Sequence, residues 1–444
     1  MGSLSWRFVS LLFLISRRGT QTAYFSIAVL DKLLKQFFSM KSDGNVARVF
    51  MNTTPAEVDV VLKGTIQGRG SFFSIKKVDA TSRARLGSLN TSHGTAETPC
   101  FLPVASHGTL RAMTFEEAAI CGTQIVMANA WHVYREAGPH LLKKVGGAHG
   151  LMKWDGTLFT DSGGYQIFSL RETAEILDQG VSFKSATELL TPEYVVEIQK
   201  RLGSDVMIVL DDCPPYPSSK KRVWDSVRRT TLWARTSMKA HMQIPAYYGY
   251  DQELWGIIQG GAYKDLRKTS VEEIAQLGFG GYGIGGLSIG MPKSTIREMT
   301  VLTCELLPSN KPRHLLGVGL PTQILEGVED GVDTFDCVLP IRKGQRGLAY
   351  TRSGPVRYKD PQRADLAELP LDLECKCQTC QSYSRGRLSQ LYREDKIHTG
   401  HLAAIHNITF FHDVLRAARE AIRNDRFLAY KNDFILNWET GACQ

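Results

Sequence analysis

The chain has 444 residues, 43% of them hydrophobic and 22% charged, and a net charge of +8. This is an ordinary globular balance with material for one large barrel-type domain plus an appendage, or for two to three ordinary domains. Nine cysteines, scattered and odd in number, argue against a disulfide-framed scaffold and for a reducing compartment, while the spread cationic excess favours a polyanionic partner without defining a fold.

The first 56 residues carry seven basic side chains and only Asp31 and Asp43 as acids. The apolar run at 9–15, flanked by Arg7 and by Arg17 and Arg18, is too short for a membrane span of ~20 residues. Three readings stay open: a transit peptide, a weak signal sequence, or an upstream start with Met40 or Met51 as the functional beginning. A poorly structured basic extension over 1–65 is expected, in a cytoplasmic protein with no membrane contact, or an organellar one if the extension is a transit peptide.

From residue 71 the pattern becomes regular. Residues 72–80 and 84–91 read as two strands of a hairpin-like lid joined at 81–83. Short β-rich runs follow at 100–104, 125–128, 158–160, 205–210, 255–258, 282–284, 314–318 and 334–338. Helix-period segments alternate with them at 114–121, 192–202, 222–241, 263–277, 293–307 and 321–330. Eight β-then-α units predict an α/β protein built as a (β/α)8 TIM barrel over 66–345, with antiparallel strands at its N-terminus. An open doubly wound sheet is the main alternative, but no strand runs into a G-x-G-x-x-G helix entry.

Reactive groups of such a barrel come from the C-terminal ends of its strands, and the unusual residues fall there. T-D-S-G-G-Y-Q follows the third run, L-D-D-C-P-P-Y-P the fourth, I-Q-G-G the fifth and I-G-G-L-S-I-G the sixth; the eighth contains Asp336. Paired glycines there let backbone amides approach a flat ligand. Two carboxylates facing one ligand support double displacement at an acetal-like carbon. Asp336, set in the apolar stretch Phe335–Cys337–Val338–Leu339 that Pro340 stops, suits the nucleophile, and Asp161, beside Ser162 and glycines, suits proton transfer. The plain alternative for Asp336 is a barrel-core acid paired with Arg342. Asp211 beside Asp212 suits recognition of a base edge, although an isolated Asp pair is more often a solvated loop. Tyr165 offers a face for stacking. The cations Arg342, Lys343, Arg346 and, further on, Arg352 form a basic loop suited to a polyanion.

Cys375-x-Cys377-x-x-Cys380, with His398, His401, His406 and His412 downstream, has the donors of a closed structural zinc site in a subdomain over 346–430, followed by a tail over 431–444. Spacing alone does not select the histidine. Residues 407–426 have helical periodicity and end in a basic surface, a solvated face or an RNA contact.

The motifs F-T-D-S-G-G-Y-Q, L-G-S-D-V-M-I-V-L-D-D-C, G-I-I-Q-G-G, G-G-L-S-I-G, G-V-D-T-F-D-C-V-L-P and C-x-C-x-x-C…H-N-I together resemble tRNA-guanine transglycosylase (queuine tRNA-ribosyltransferase), over roughly 72–429. The resemblance implies exchange of guanine at the wobble position of G-U-N anticodons for a 7-deazaguanine, without cutting the RNA, through a covalent ribosyl-aspartate. It implies Asp336 as nucleophile and Asp161 as general acid/base. It further implies Asp211, Gln259, Gly286 and Leu287 on the base, Tyr165 stacked on it, and one Zn2+ on Cys375, Cys377, Cys380 and His406. A homodimer is implied too. Cys213 and Ile289 resemble the bacterial pattern, which favours preQ1 over queuine. Departures are Ile341 in place of the family's Thr, Gln345 before Arg346, and N-A-W-H at 129–132, which leave open which cation meets phosphate. The other reading, a non-catalytic tRNA-binding subunit, sits poorly with retention of both Asp161 and Asp336.

Overall fold

The computed structural model describes residues 71–163, 174–183, 189–287, 290–360 and 368–441. The expected extension at 1–65 lies outside them, as do Tyr165 and Ile289.

Strands β1 (Phe73–Val78), β2 (Arg85–Thr91) and β3 (Gly94–Thr98) form an antiparallel sheet in that order, one strand more than the pattern predicts. The β1–β2 turn is made by Asp79, whose carboxylate accepts the Thr81 N–H and the hydroxyls of Thr81 and Ser82. The barrel follows: β4 (Cys100–Leu102), β5 (Val104–Ala105), β6 (Ile125–Asn129) and β7 (Thr157–Asp161). An antiparallel insertion of β8 (Ala174–Leu177), β9 (Gly180–Phe183) and β10 (Leu189–Leu190) interrupts it. It resumes with β11 (Val206–Ile208), β12 (Glu253–Ile258), β13 (Gly281–Ile284), β14 (Arg313–Leu315) and β15 (Thr334–Asp336).

The barrel order is β4-β15-β14-β13-β12-β11-β7-β6-β5, every pairing parallel. Nine strands occupy eight positions because β4 and β5 are the two halves of the first strand, parted at Pro103, which has no N–H for the ladder. One half pairs with the last strand and the other with the second, which closes the cylinder. Phe159, Trp255 and His314, from the third, fifth and seventh positions, meet inside: ring centroids lie 5.1 Å apart for Phe159–Trp255 and 6.1 Å for Phe159–His314.

The N-terminal sheet is a plug, not a lid over the reactive rim. Phe72 packs edge-on against Trp255 at 6.3 Å, and Phe73 and Leu89 join the barrel's apolar interior. Arg85 anchors it at the N-terminal rim, with Nε and Nη2 donating to the Asp333 carboxylate at 2.9 and 2.5 Å. Asp333 also accepts the Arg313 N–H at 2.7 Å, and Arg85 donates to the Lys311 carbonyl at 2.8 Å.

Past β15 the predicted basic loop is a short helix, Leu339–Gln345. Pro340 starts it instead of merely ending a strand, because the first helical turn has no use for its missing N–H. The hairpin of β16 (Ala349–Thr351) and β17 (Gly354–Val356) follows, then helices Gln378–Ser382, Arg385–Glu394, Lys396–Arg423 and Phe427–Gly441. The helix expected at 407–426 begins at Lys396, where Asp395 caps the Ile397 and His398 N–H groups. Its apolar stripe covers the first barrel strand, with Phe411 at 4.8 Å from Phe101, so it serves as the barrel's eighth helix. A Cβ on Gly344 would lie 3.1 Å from the Ala403 backbone, and one on Gly400 3.2 Å from the Gln345 Cα, which explains two glycines at that helix crossing. The arginines of this helix are spoken for. Arg419 donates to the Pro99 carbonyl at 2.8 Å, Arg423 pairs with Glu97 and Glu420 at 3.2 and 3.0 Å, and Arg416 pairs with Asp413 at 2.6 Å. They fasten the helix, with Arg419 and Arg423 gripping the end of the barrel at which the strands begin.

Breaking the Arg85–Asp333 pair strands a buried charge, a loss of about 3–5 kcal/mol. Arg85→Ala or Asp333→Ala should each lower the melting temperature by roughly 5–15 °C. The double replacement Arg85→Met with Asp333→Leu should recover most of the loss in a thermal melt.

Candidate active site and metal centre

Asp161 ends β7, Asp336 ends β15 and Asp211 lies three residues past β11, so a parallel barrel delivers all three to one rim. Asn129, the last residue of β6 and register partner of Asp161, donates from Nδ2 to Asp161 Oδ1 at 2.6 Å. The same Asn129 accepts the His132 N–H at 2.9 Å and so caps helix Ala130–Val145, which fixes the amide. The Gly163 N–H adds a second bond to Asp161 Oδ1 at 3.1 Å. Burial pushes the Asp161 carboxyl up to about 7 against the pull of that N–H, and the negative charges of Asp336 and Asp211 add to the rise. The three acids therefore share one field, and Asp161 changes protonation state near neutral pH.

Asp336 sits differently. Its Oδ1 accepts His314 Nε2–H at 3.0 Å and the Gly317 N–H at 3.0 Å, so it is not tied to Arg342. Asp211 is buried, accepts Gln259 Nε2–H at 2.7 Å, and is also pushed up to about 7 by burial, with neighbouring Asp212 adding to the rise. Asp212 itself is neither solvated nor available: it is fully buried between Arg222, at 2.5 and 2.9 Å, and Arg229. Neither acid is a solvated loop residue: Asp212 is locked between two arginines, and Asp211 is buried against the Gln259 amide.

Gln259 is fully buried, and among the described residues its Oε1 has no hydrogen-bond partner. A Cβ on Gly286 would lie 2.4 Å from that oxygen, so only glycine leaves the amide in place. The Asp211 carboxyl and the Gln259 amide are thus buried polar neighbours, with acceptor capacity left on Gln259 Oε1 among the described residues. Cys213 adjoins them as a neutral thiol, pushed up to about 12 by burial and by the two aspartates, and Leu287 is buried beside the glycine turn. A cavity of about 220 Å³ opens between the Pro214–Pro215–Tyr216 loop, Tyr263 and Gly286.

Arg342 and Arg346 are exposed, four residues apart and hence on one face of helix Leu339–Gln345 and its end, with Lys343 half-buried beside them. Among the described residues no carboxylate pairs with any of the three. Arg352, by contrast, is committed to Asp372 and Glu374 at 2.8 and 3.2 Å, and leaves the basic set.

Cys375, Cys377, Cys380 and His406 are buried, with ligand atoms all within 4.8 Å of one another. His406 Nε2 is 2.8 Å from the Tyr350 carbonyl, which fixes the proton there and leaves the Nδ1 lone pair turned toward Cys380 Sγ at 3.2 Å. Cys377 caps helix Gln378–Ser382, so backbone N–H groups favour its thiolate. Three thiols and one oriented imidazole fit a closed tetrahedral metal site. The rival histidines do not join the cluster: His401 bonds the Ala112 carbonyl, His412 bonds Thr123, and His398 is exposed outside it. A second cluster, His93, His149 and Asp205, is of another kind: the imidazoles stack 3.6 Å apart at 17°, so their in-plane lone pairs run side by side and do not converge. Burial opposes ionisation of Asp205, but the bonds from His149 and His93 hold it down at about 2.

Sequence reasoning missed Asn129, His314 and Gly317. The available signal was polar side chains inside apolar strands and the G-V-G turn after the seventh strand.

A parallel barrel with acids of contrasting environment on one rim, beside a cluster of three cysteines and one histidine, defines a class of enzyme acting at an acetal-like carbon. The family model described as queuine tRNA-ribosyltransferase matches residues 79–440. Relatives carrying that name include one from Thermoanaerobacter sp., 43% identical over 82% of this chain and 97% of its own length. Another from Staphylococcus haemolyticus is 43% identical over 80% and 93%, and one from Desulforudis audaxviator 42% identical over 84% and 100%. The chain belongs to the queuine tRNA-ribosyltransferase family, and is an enzyme of the pentosyl-transferring class. Among the described residues no helix is long and apolar enough to cross a membrane.

Because folding raises the Asp161 pKa from 3.8 to about 7, the folded state holds a proton between those values that the unfolded chain lacks. Stability contributed at this site therefore falls as pH rises through that window. Asp161→Asn should melt a few degrees higher than the parent at pH 8, with the difference shrinking steadily toward pH 4. A pH-independent difference in paired thermal melts would contradict the assigned burial of that charge.

Proposed function

We propose that the protein exchanges guanine at the wobble position of G-U-N tRNA for a 7-deazaguanine by double displacement. The observation that carries this reading is the pair of rim carboxylates held in opposite ways. Asp161 is poised to give or take a proton near neutrality, while Asp336 is held by two N–H donors. The Asp336 carboxylate attacks C1′ of the ribose, the C1′–N9 bond breaks, and guanine leaves with the proton of Asp161. The incoming base then attacks C1′ through its own N9, passing that proton to Asp161, and the Asp336 carboxylate is released.

Asp211, Gln259, Gly286 and Leu287 bind the base edge, and Cys213 narrows the pocket toward preQ1 in preference to queuine. Tyr165 stacks on the base and Ile289 limits its substituent, both being carried from the family resemblance alone. Arg342, Lys343 and Arg346 take tRNA phosphates. The barrel over 66–345 carries the chemistry, and the segment over 346–430 forms the metal-binding subdomain. Its ion is one structural Zn2+, which cross-links Cys375, Cys377 and Cys380 to His406 on the eighth helix. A cytoplasmic homodimer completes the reading. The presence of both Asp161 and Asp336 weighs against a non-catalytic subunit.

Radiolabelled guanine should enter unmodified G-U-N tRNA in the presence of the protein and not enter a C-U-N control; Asp336→Ala should abolish incorporation without lowering the melting temperature. Absence of incorporation by the zinc-replete parent rejects the reading. Metal analysis should return one zinc per chain, lost in Cys377→Ser together with a cooperative melt near the parent temperature.

A further inference from the structure

We propose that His314 and the Gly317 N–H form a two-donor cradle that selects the attacking oxygen of Asp336 and limits the lifetime of the covalent intermediate. The inference rests on the double displacement above and assigns a positioning role to a histidine within it.

Both donors converge on one oxygen. His314 Nε2 and Gly317 N each lie 3.0 Å from Asp336 Oδ1, while among the described residues Oδ2 accepts no hydrogen bond. His314 has no freedom to serve otherwise. It is fully buried in the middle of β14, its ring meets Phe159 inside the barrel, and its Nδ1 is 2.8 Å from the hydroxyl of Thr334, its register partner on β15. A carboxylate offers no proton, so the bond to Asp336 requires hydrogen on Nε2. In the neutral ring Nδ1 is then the acceptor, and the Thr334 hydroxyl donates to it. The second donor is equally fixed. Gly317 has φ +70, a conformation that favours glycine, and its carbonyl lies 3.7 Å from Cys337 Sγ, next to the nucleophile.

Oδ2 is therefore the free oxygen, and it forms the bond to C1′. Oδ1 becomes the ester carbonyl and keeps both N–H donors. Those donors bind a full carboxylate charge more strongly than a neutral ester oxygen. They thus oppose accumulation of the ester and favour the second displacement, in which C1′–Oδ2 breaks and the electron pair returns to the carboxylate. Removing His314 should leave attack competent but shift the balance toward the adduct. A residue needed only for packing would lower both displacements or the amount of folded protein, with no such shift.

The test uses the full-length, zinc-loaded protein with a G-U-N anticodon stem-loop RNA, resolving the covalent protein–RNA adduct on a denaturing gel and chasing it with guanine. His314→Phe should raise the adduct fraction and slow the guanine chase about ten- to a hundredfold, the worth of one hydrogen bond to a charged group. His314→Gln, which can restore an N–H, should return both toward the parent values. Thr334→Val, which keeps the ring but removes the bond that orients its proton, should shift both in the same direction by less, and covers the case in which His314→Phe does not fold. Folded variants with the parent's adduct fraction and chase rate overturn the cradle. A parent protein that forms no adduct overturns the double displacement itself, which separates the two failures.

Discussion

Closure of the parallel barrel is the constraint from which the rest follows. Every strand runs the same way, so residues 161, 211 and 336, far apart in the chain, must emerge on a single rim. Closure depends on the first strand being split at Pro103, so that β4 reaches the eighth strand while β5 reaches the second. The N-terminal plug and the Arg85–Asp333 pair secure the opposite end. The eighth helix arrives late, after the metal-binding segment, and ties that segment to the barrel through His406 and Asn407; the Asn407 side chain bonds the Pro340 carbonyl and the Tyr350 N–H.

Buried aspartates divide by what compensates them. Asp333 meets Arg85, Asp212 meets Arg222 and Arg229, and Asp205 meets two histidines; these are scaffold acids, each bound by basic partners. Among the described residues Asp161 and Asp211 have neutral amide partners only, and burial raises both to about 7. That uncompensated desolvation destabilises the fold and makes both groups chemically responsive, the usual exchange at a functional site. Elevation alone is not a marker of function. Asp330 is also raised to about 7 by burial, yet it ends helix Pro321–Glu329 away from the reactive rim and faces Arg297.

Much of the architecture was legible in the sequence, because strands covered on both faces read as short continuous apolar runs between helix-period segments. All eight barrel positions and helix 192–202 follow from that pattern alone, and the close spacing of Cys375, Cys377 and Cys380 announces its own chemistry. Periodicity could not reach the β8–β10 insertion, whose short strands carry no sustained alternation, nor the first turns of the eighth helix, where Gly400 and three histidines mask the stripe. Partner choice was illegible for a different reason. Arg352, Arg419 and Arg423 look like free cations until the fold sets Asp372, Glu97 and the Pro99 carbonyl beside them. His314 and Asn129 were hidden likewise: a polar residue in an apolar strand signals a buried bond, but only register names the other end.

The central claim is that Asp336 forms a bond to ribose while Asp161 moves protons. Protease digestion of the protein–RNA adduct formed without an incoming base, followed by mass spectrometry, locates the attachment directly. The account predicts a ribose-linked nucleotide on the peptide containing Asp336 and Cys337, at the aspartate. Attachment at Asp161 or Asp211, or unmodified peptides from all three strand ends, would contradict it.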